Sequence, residues 1–292
     1  MANVSTEDIK KLRDKTGAGF MDCKKALEES NLDIQKALDW LRKKGISSAE
    51  KKGSRSASDG LIAIENNNNE AAIIEINSET DFVARNSDFQ DFVGEISKLN
   101  LKMKGDIEKL NNANYKDSNE KVSNVLINLI SKIGEKITIR RTKYISSDNG
   151  FIGTYIHNIE TKNMGKIGVI ISVVTDIEKS KIDDFLKKIS MHIAAASPLS
   201  LNIEKLDKKV IEKEREIQLE QIKKDKKDQS ILNKIIEGKM GKFYSEVVLL
   251  EQNFVVDDKI KIKDFILETS KKLNGKIEVV DFIRFKVGDE IE

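Results

Sequence analysis

Ala71-Ala72-Ile73-Ile74-Glu75-Ile76-Asn77, then Ser78-Glu79, then Thr80-Asp81-Phe82-Val83-Ala84-Arg85-Asn86 is the stretch from which the rest of the chain can be read. The first block is rich in isoleucine and small apolar residues and predicts a strand. After Asn86, Phe89, Phe92, Val93, Ile96 and Leu99 recur at helical spacing, so a helix follows. Ser87 and Gln90 have the S-x-x-Q spacing of a capping box, which makes Ser87 the expected N-cap. Between strand and helix, a short loop presents an acid, Asp81, beside an aromatic, Phe82. The residues leave two readings open. Phe82 plugs the core and Asp81 caps a turn, or the pair is held out as a contact.

The same order of elements recurs further along the chain. Asp59-Gly60-Leu61-Ile62-Ala63-Ile64 opens a hairpin that turns at Asn66-Asn67-Asn68-Asn69 and returns along the strand above. Asn149-Gly150-Phe151-Ile152-Gly153-Thr154-Tyr155-Ile156 opens a second, which returns along Ile167-Gly168-Val169-Ile170-Ile171-Ser172-Val173-Val174. Amphipathic helices follow, over Phe89–Leu99 and Ile182–Ala196. Each copy closes with helix, turn and strand, the strands beginning at Lys136-Ile137 and Lys276-Ile277. The opening glycines, Gly60 and Gly150, stand 90 residues apart and the closing lysines 140 apart, so the second copy carries 50 more residues. The expected fold is α+β: two like units with small antiparallel sheets that share one core or pack as a pseudo-symmetric pair.

The additional residues begin after Pro198, which ends the preceding helix. Charges then alternate around Leu206, Val210, Ile217 and Ile222; a polar turn is expected over Asp225–Ser230; and Ile231, Leu232, Ile235, Ile236, Met240 and Phe243 return. This pattern predicts an antiparallel helical hairpin, or short coiled coil, over about 203–240, with a solvated charged face. At the other end of the chain, Ser5–Asp8 is an N-cap turn. Three short helices follow, one through Ile9, Leu12 and Arg13 to Gly17-Ala18-Gly19, one from near Asp22, and one from Asp33 that stops at Gly45. Together they predict a ubiquitin-associated-like bundle. Gly17-Ala18-Gly19 is either a plain tight turn or a place of close approach. Ser- and Lys-rich residues up to Gly60 read as a linker that frees the module. The expected division is a helical module over 1–45, a linker over 46–58, a first unit over 59–145 and a second over 146–292.

The chain has 292 residues, and Lys+Arg 51 nearly cancels Asp+Glu 49. A net charge of +2 lacks the clustered positive excess of a bulk nucleic-acid binder. No apolar run approaches a membrane span, and Met1-Ala2-Asn3-Val4-Ser5 lacks the layout of a signal peptide. The single cysteine, Cys23, excludes an internal disulfide framework, fits a reducing cytoplasm and reads as a small core residue. His157 and His192 are the only histidines, no Cys/His cluster has metal-ligand spacing, and no phosphate-loop, dinucleotide or nucleophile-elbow motif occurs. His192 falls on the apolar face of its helix, where a partly buried structural histidine is expected. His157 ends a strand beside a polar loop and on the residues alone also reads as structural. Asp183-Asp184 reads as helix-start charge rather than a metal pair. An enzyme is disfavoured, and neither a metal nor a cofactor is expected.

Thr80 to Asn86 resembles the signature loop of the bacterial elongation factor Ts family, nucleotide exchange factors for elongation factor Tu. Leu12-Arg13-Asp14-Lys15-Thr16-Gly17-Ala18-Gly19-Phe20-Met21-Asp22-Cys23-Lys24-Lys25-Ala26-Leu27 resembles that family's other signature, and the order of the two is the same. Tyr155-Ile156-His157, Met191-His192-Ile193-Ala194 and Ile283-Arg284-Phe285 extend the likeness. The resemblance implies a projecting coiled coil, and a partner, elongation factor Tu, engaged through its GTP-binding and distal domains. It implies that Thr80, Asp81, Phe82 and Val83 dislocate the partner's Mg²⁺, with Phe82 as wedge. It implies that Arg13, Phe20 and Met21 contact the GTP-binding domain and His157 the distal one; Phe20 departs from the methionine commoner there. Many members carry a further C-terminal helical module, whereas this sequence ends at Glu292, so contacts from such a module are not expected. Two other readings compete with the exchange factor. An RNA- or ribosome-associated module predicts binding that weakens steeply with salt. A coiled-coil assembly protein predicts self-association that survives loss of residues 1–60.

Overall fold

The computed structural model describes residues 4–67, 69–222 and 229–290. The expected four-residue turn of the first hairpin includes Asn68, and the polar turn over Asp225–Ser230 includes residues 225–228; these lie outside the described residues.

The N-terminal module is built from α1 (Thr6–Thr16), α2 (Phe20–Glu29) and α3 (Ile34–Lys52). Ser5 caps α1 by accepting the Asp8 amide, and Gly17, in the left-handed region at φ 67°, ends it. Ile9, Leu12, Cys23, Ala26, Leu27 and Ala37 form the module's own small core. Helix α2 starts at Phe20, two residues before the expected Asp22. Helix α3 starts at the expected Asp33 cap but runs through Gly45 to Lys52, so much of the stretch read as linker is helical. Gly45 is a packing position and not a stop: a Cβ there would lie 3.3 Å from Ile127 Cγ2. Tertiary contact, which local pattern does not report, carries the helix past its glycine.

The first unit follows as β1 (Asp59–Asn66), β2 (Glu70–Ser78), the one-turn α4 (Asp81–Ala84), α5 (Ser87–Lys102), α6 (Ile107–Asn112), α7 (Val122–Ile133) and β3 (Ile137–Ser146). The second has β4 (Gly150–Thr161), β5 (Met164–Thr175) and α8 (Lys179–Ala196). Then come α9 (Lys208–Ile222) and α10 (Gln229–Val247), a small ribbon of β6 (Asn253–Phe254) and β7 (Asp257–Lys261), and finally α11 (Ile262–Leu273) and β8 (Ile277–Lys286). The sheets correspond strand for strand, with β2 between β1 and β3, and β5 between β4 and β8. They join at one corner, where Ile62 and Ala63 of β1 pair with Gly165 and Met164 of β5. Even an irregularity is repeated. Arg140 in β3 and Val280 in β8, 140 residues apart, are the residues skipped at a β-bulge.

The two possibilities left open by the sequence resolve into a layered pair. Leu61, Ala63, Ile74 and Ile76 face α5 and α7. Val169, Ile171 and Val173 face α8 and α11. The opposite sheet faces meet, with Ile62, Ile64, Ala71 and Ile73 against Ile152, Ile170 and Phe285. Gly168 lets them approach: a Cβ there would lie 2.6 Å from Ile62 Cγ2 and 2.9 Å from Ile73 Cδ1. Burial on both faces explains why β1 and β2 read as apolar runs and not as alternating strands.

His192 is fully buried. Its Nδ1 accepts the Val255 amide at 3.2 Å, which leaves Nε2–H to donate to Gln252 Oε1 at 2.9 Å. Burial pushes its pKa below the ordinary histidine range, with the Gln252 bond opposing; it is the structural histidine the sequence indicated, fully and not partly buried.

Helices α9 and α10 pack through Ile222, Ile236 and Met240, with Ile211, Leu232, Ile235, Phe243 and Tyr244 around them, a cluster separate from the core of the second unit. Replacing residues 209–240 with a short Gly/Ser linker is therefore expected to leave the Tm within a few degrees of the parent and the near-UV circular dichroism of the core intact. A collapsed core would mean that the hairpin is integral to the second unit.

Candidate functional site

The site grows from the end of β2. Ser78 Oγ donates to Thr80 O at 2.9 Å and bends the chain out of the sheet. Thr80 is the N-cap residue of α4, with extended backbone, yet its side chain makes no capping bond. Its amide instead donates to Glu135 Oε2 at 3.0 Å, and its hydroxyl to Glu135 Oε1 at 2.8 Å. The expected loop is thus one turn of helix. Val83 and Ala84 are buried beside Phe89 and Ile76. Consecutive residues on a helix point about 100° apart, so anchoring Val83 and Ala84 turns Phe82 away from the core. Phe82 is 77% exposed. The structure decides between the two readings of this residue: it does not plug the core.

Asp81 is half-buried beside it. Arg85 lies 3.8 Å from Asp81 Oδ2 and 3.8 Å from Glu160 Oε2, loose and solvated pairs that contribute little energy but show what is adjacent. Helix α5 then starts one residue earlier than expected. Asn86, not Ser87, is the N-cap, accepting the Phe89 amide at 3.2 Å, and Gln90 reaches back to Ala84 O at 2.9 Å. Either residue type caps well, and the backbone left by the α4 turn selects Asn86.

This turn is extra structure in the first copy. Eight residues separate β2 from α5, and three separate β5 from α8.

The other sequence-selected residues lie on the surface around it. Glu160, the partner of Arg85, is near the tip of the β4–β5 hairpin. That tip also carries His157, which is exposed, is hydrogen-bonded through Nδ1 to Tyr155 Oη at 3.0 Å, and sits within β4 and not at its end. Tyr155 and His157 share a face by the two-residue period, and Ile159 follows the left-handed Asn158 at φ 52°. Ile159, 68% exposed, was not singled out by sequence reading; a lone isoleucine among polar residues gives no signal. On the other side, Lys132 of α7 pairs with Asp88 of α5 at 2.8 Å, and its side chain lies against Gly17 of the N-terminal module. That module holds out Phe20, 46% exposed, and Met21, 68% exposed, at the start of α2, and an exposed Arg13 in the last turn of α1. Arg85 thus links the Phe82 turn to the hairpin bearing His157, and Lys132 links α5, the helix after the turn, to the module bearing Phe20 and Met21. Together these are exposed apolar side chains interspersed with charge, an arrangement suited to gripping another protein.

Among the described residues no group of three or more His, Cys, Asp or Glu side chains is placed to hold a metal ion. Asp183 and Asp184 are exposed on α8, and Asp184 pairs with Lys188 at 2.7 Å. No helix of the described residues is long and apolar enough to cross a membrane.

Two family descriptions match the chain: "Elongation factor TS" over residues 79–289, and "Elongation factor Ts, mitochondrial, N-terminal" over residues 1–53. Among similar proteins, the elongation factor Ts of Rhodospirillum centenum is 41% identical over 292 residues, covering 100% of this chain and 95% of the relative. That of Rhizobium etli is 40% identical over 292 residues with the same coverage of both chains. That of Rhodospirillum rubrum is 41% identical over 293 residues, again covering 100% of this chain and 95% of the relative. The chain is a translation elongation factor that belongs to the elongation factor Ts family.

Proposed function

We propose that this protein binds elongation factor Tu in its GDP-bound form and speeds the release of GDP, allowing GTP to enter. The observation that carries the reading is the Phe82 side chain, held out at 77% exposure by a turn whose next two residues are buried. A ring kept in water by an ordered turn is accounted for if a partner covers it.

The chemistry required is modest. A GTPase holds GDP through a phosphate loop and Mg²⁺, and an exchange factor must favour the nucleotide-free form. Phe82 wedges between side chains near the partner's Mg²⁺ site. Asp81 disturbs the water and side-chain network around that metal. Val83 and Thr80 keep the turn in shape, one by packing and the other through Glu135. Arg13, Phe20 and Met21 contact the GTP-binding domain, and His157 reaches the distal domain. No bond is made or broken by these residues, so the protein is an exchange factor and not an enzyme, with no cofactor of its own. It acts in the cytoplasm, on a protein, without engaging nucleic acid or a membrane.

The test is direct. Labelled GDP is loaded on elongation factor Tu and its release followed with and without this protein; acceleration is expected. Reciprocity supplies the second arm: this protein must weaken GDP by the factor by which GDP weakens this protein. Titration calorimetry should therefore show tight binding to the empty partner and progressively weaker binding as Mg·GDP is raised. Asp81→Ala should reduce that antagonism. Equal affinity for the empty and loaded partner would leave no differential free energy, and the reading would fall.

A further inference from the structure

Beside the Phe82 turn, two junctions far apart in sequence clasp each other reciprocally. Glu135, between α7 and β3, accepts the amide and hydroxyl of Thr80 at 3.0 and 2.8 Å. In the opposite direction Glu79, between β2 and α4, accepts the amide of Lys136 at 2.6 Å. Each carboxylate thus takes the amide that follows the other. Lys136 Nζ extends the clasp to Gly53 O at 2.7 Å and Arg55 O at 2.8 Å, and Arg55 pairs with Glu79 at 3.2 Å. Glu79 is held below the ordinary carboxylate range, chiefly by the Lys136 amide.

The second copy of the repeat shows which half of the clasp belongs to the sheet and which to the turn. Asp176 stands where Glu79 does, between the returning strand and the helix, and its Oδ1 accepts the Lys276 amide at 2.7 Å. That half is present in both copies. In the place of Glu135, 140 residues on, the second copy has Gly275, and no carboxylate reaches back. The bond to Thr80 therefore exists only in the copy that also carries the additional α4 turn.

We propose that Glu135 is a positioning residue for nucleotide exchange. It fixes Thr80 at the head of α4 and so sets the direction in which Asp81 and Phe82 project. This rests on the reading that the Phe82 turn acts on elongation factor Tu. Thr80 does not cap α4 with its own side chain, so Glu135 supplies the restraint from outside the turn.

The test uses the full chain with Glu135→Ala and the conservative Glu135→Gln, whose amide can still accept from the Thr80 amide and donate to its hydroxyl. Hydrogen exchange of the Thr80–Phe82 amides is measured by NMR. Glu135→Ala should speed it by about tenfold, the size expected for one or two net hydrogen bonds, with a Tm within a few degrees of the parent. GDP release from elongation factor Tu should slow by about five- to tenfold, and Glu135→Gln should recover most of both. In an Asp81→Ala, Phe82→Ala background, Glu135→Ala should slow release by no more than about twofold, because a residue that acts through those two side chains has nothing left to position. Unchanged amide exchange, full additivity with the Asp81→Ala, Phe82→Ala pair, or a release defect that tracks the Tm would each overturn the proposal. A parent chain that does not speed GDP release would overturn the exchange reading itself, and the amide measurement would still decide whether Glu135 holds the turn.

Discussion

Phe82→Ala is expected to slow stimulated GDP release from elongation factor Tu by roughly thirtyfold to a thousandfold, the equivalent of about 2–4 kcal/mol for an aromatic anchor at an interface. The Tm should change little, because the ring packs on nothing in the free protein that its removal would leave hollow. Val83→Ala is the informative contrast. Val83 is 5% exposed inside the first unit's core, so its truncation should cost about 1 kcal/mol of stability and should weaken exchange only through the shape of the turn. Stopped-flow GDP release and thermal melts on the two variants separate these outcomes. A Phe82→Ala protein that melts far earlier, with an exchange defect that follows its unfolding, would show that the ring belongs to the core after all.

The second large effect is on stability and comes from Glu75, a carboxylate with no solvent exposure in the layer between the two sheets. Its Oε1 accepts from Arg140 Nη1 at 2.9 Å, Asn77 Nδ2 at 3.0 Å and the Gly288 amide at 2.9 Å, and its Oε2 accepts from Arg141 Nε at 2.5 Å. Successive strand residues ordinarily point to opposite faces. The bulge at Arg140 breaks that alternation and lets Arg140 and Arg141 converge on one acid. Because Gly288 follows β8, the same acid ties the first unit to the end of the second. Glu75→Ala would leave two poorly hydrated guanidinium groups and a buried amide without their acceptor. The expected cost is about 3 kcal/mol, or roughly 6–10 °C in Tm, towards the low end for a broken buried pair because both arginines keep some contact with water.

Glu75 also predicts a pH dependence. Burial alone would raise its pKa, but the Gly288 amide, Asn77 and the two arginines outweigh burial and hold it below the ordinary value of 4.5. The unfolded chain therefore takes up this proton at a higher pH than the folded one. The stabilisation is fully present above about pH 4.5 and is lost as pH falls through the folded value. Melts across the acid range should show Glu75→Gln less stable than the parent near neutrality, with the gap closing on acidification. A constant gap would mean that the charge of Glu75 contributes nothing.

Periodicity and turn chemistry determined much of this protein at the level of sequence. The strand and the helix on either side of the Phe82 turn, the matched hairpins, the recurrence of helix, turn and strand at the close of each copy, and the projecting hairpin all follow from residue spacing, which reports the local backbone directly. The motifs Thr80–Asn86 and Leu12–Leu27 pointed to the family. Tertiary structure decided what local pattern does not encode. Gly45 looked like a stop, but contact with Ile127 makes it an interior helix residue. Ser87 looked like the cap, but the turn before it hands that place to Asn86. Glu75 looked like one polar residue in an apolar strand, and its importance depends on a bulge in β3 and on the amide of Gly288, far along the chain. Whether Phe82 faced the core or the solvent was the question the sequence left open, because a phenylalanine carries the same hydrophobicity in either place. Its outward direction comes from the burial of Val83 and Ala84 on one side and the grip of Glu135 on Thr80 on the other, and those restraints exist only once the first unit has closed around the turn.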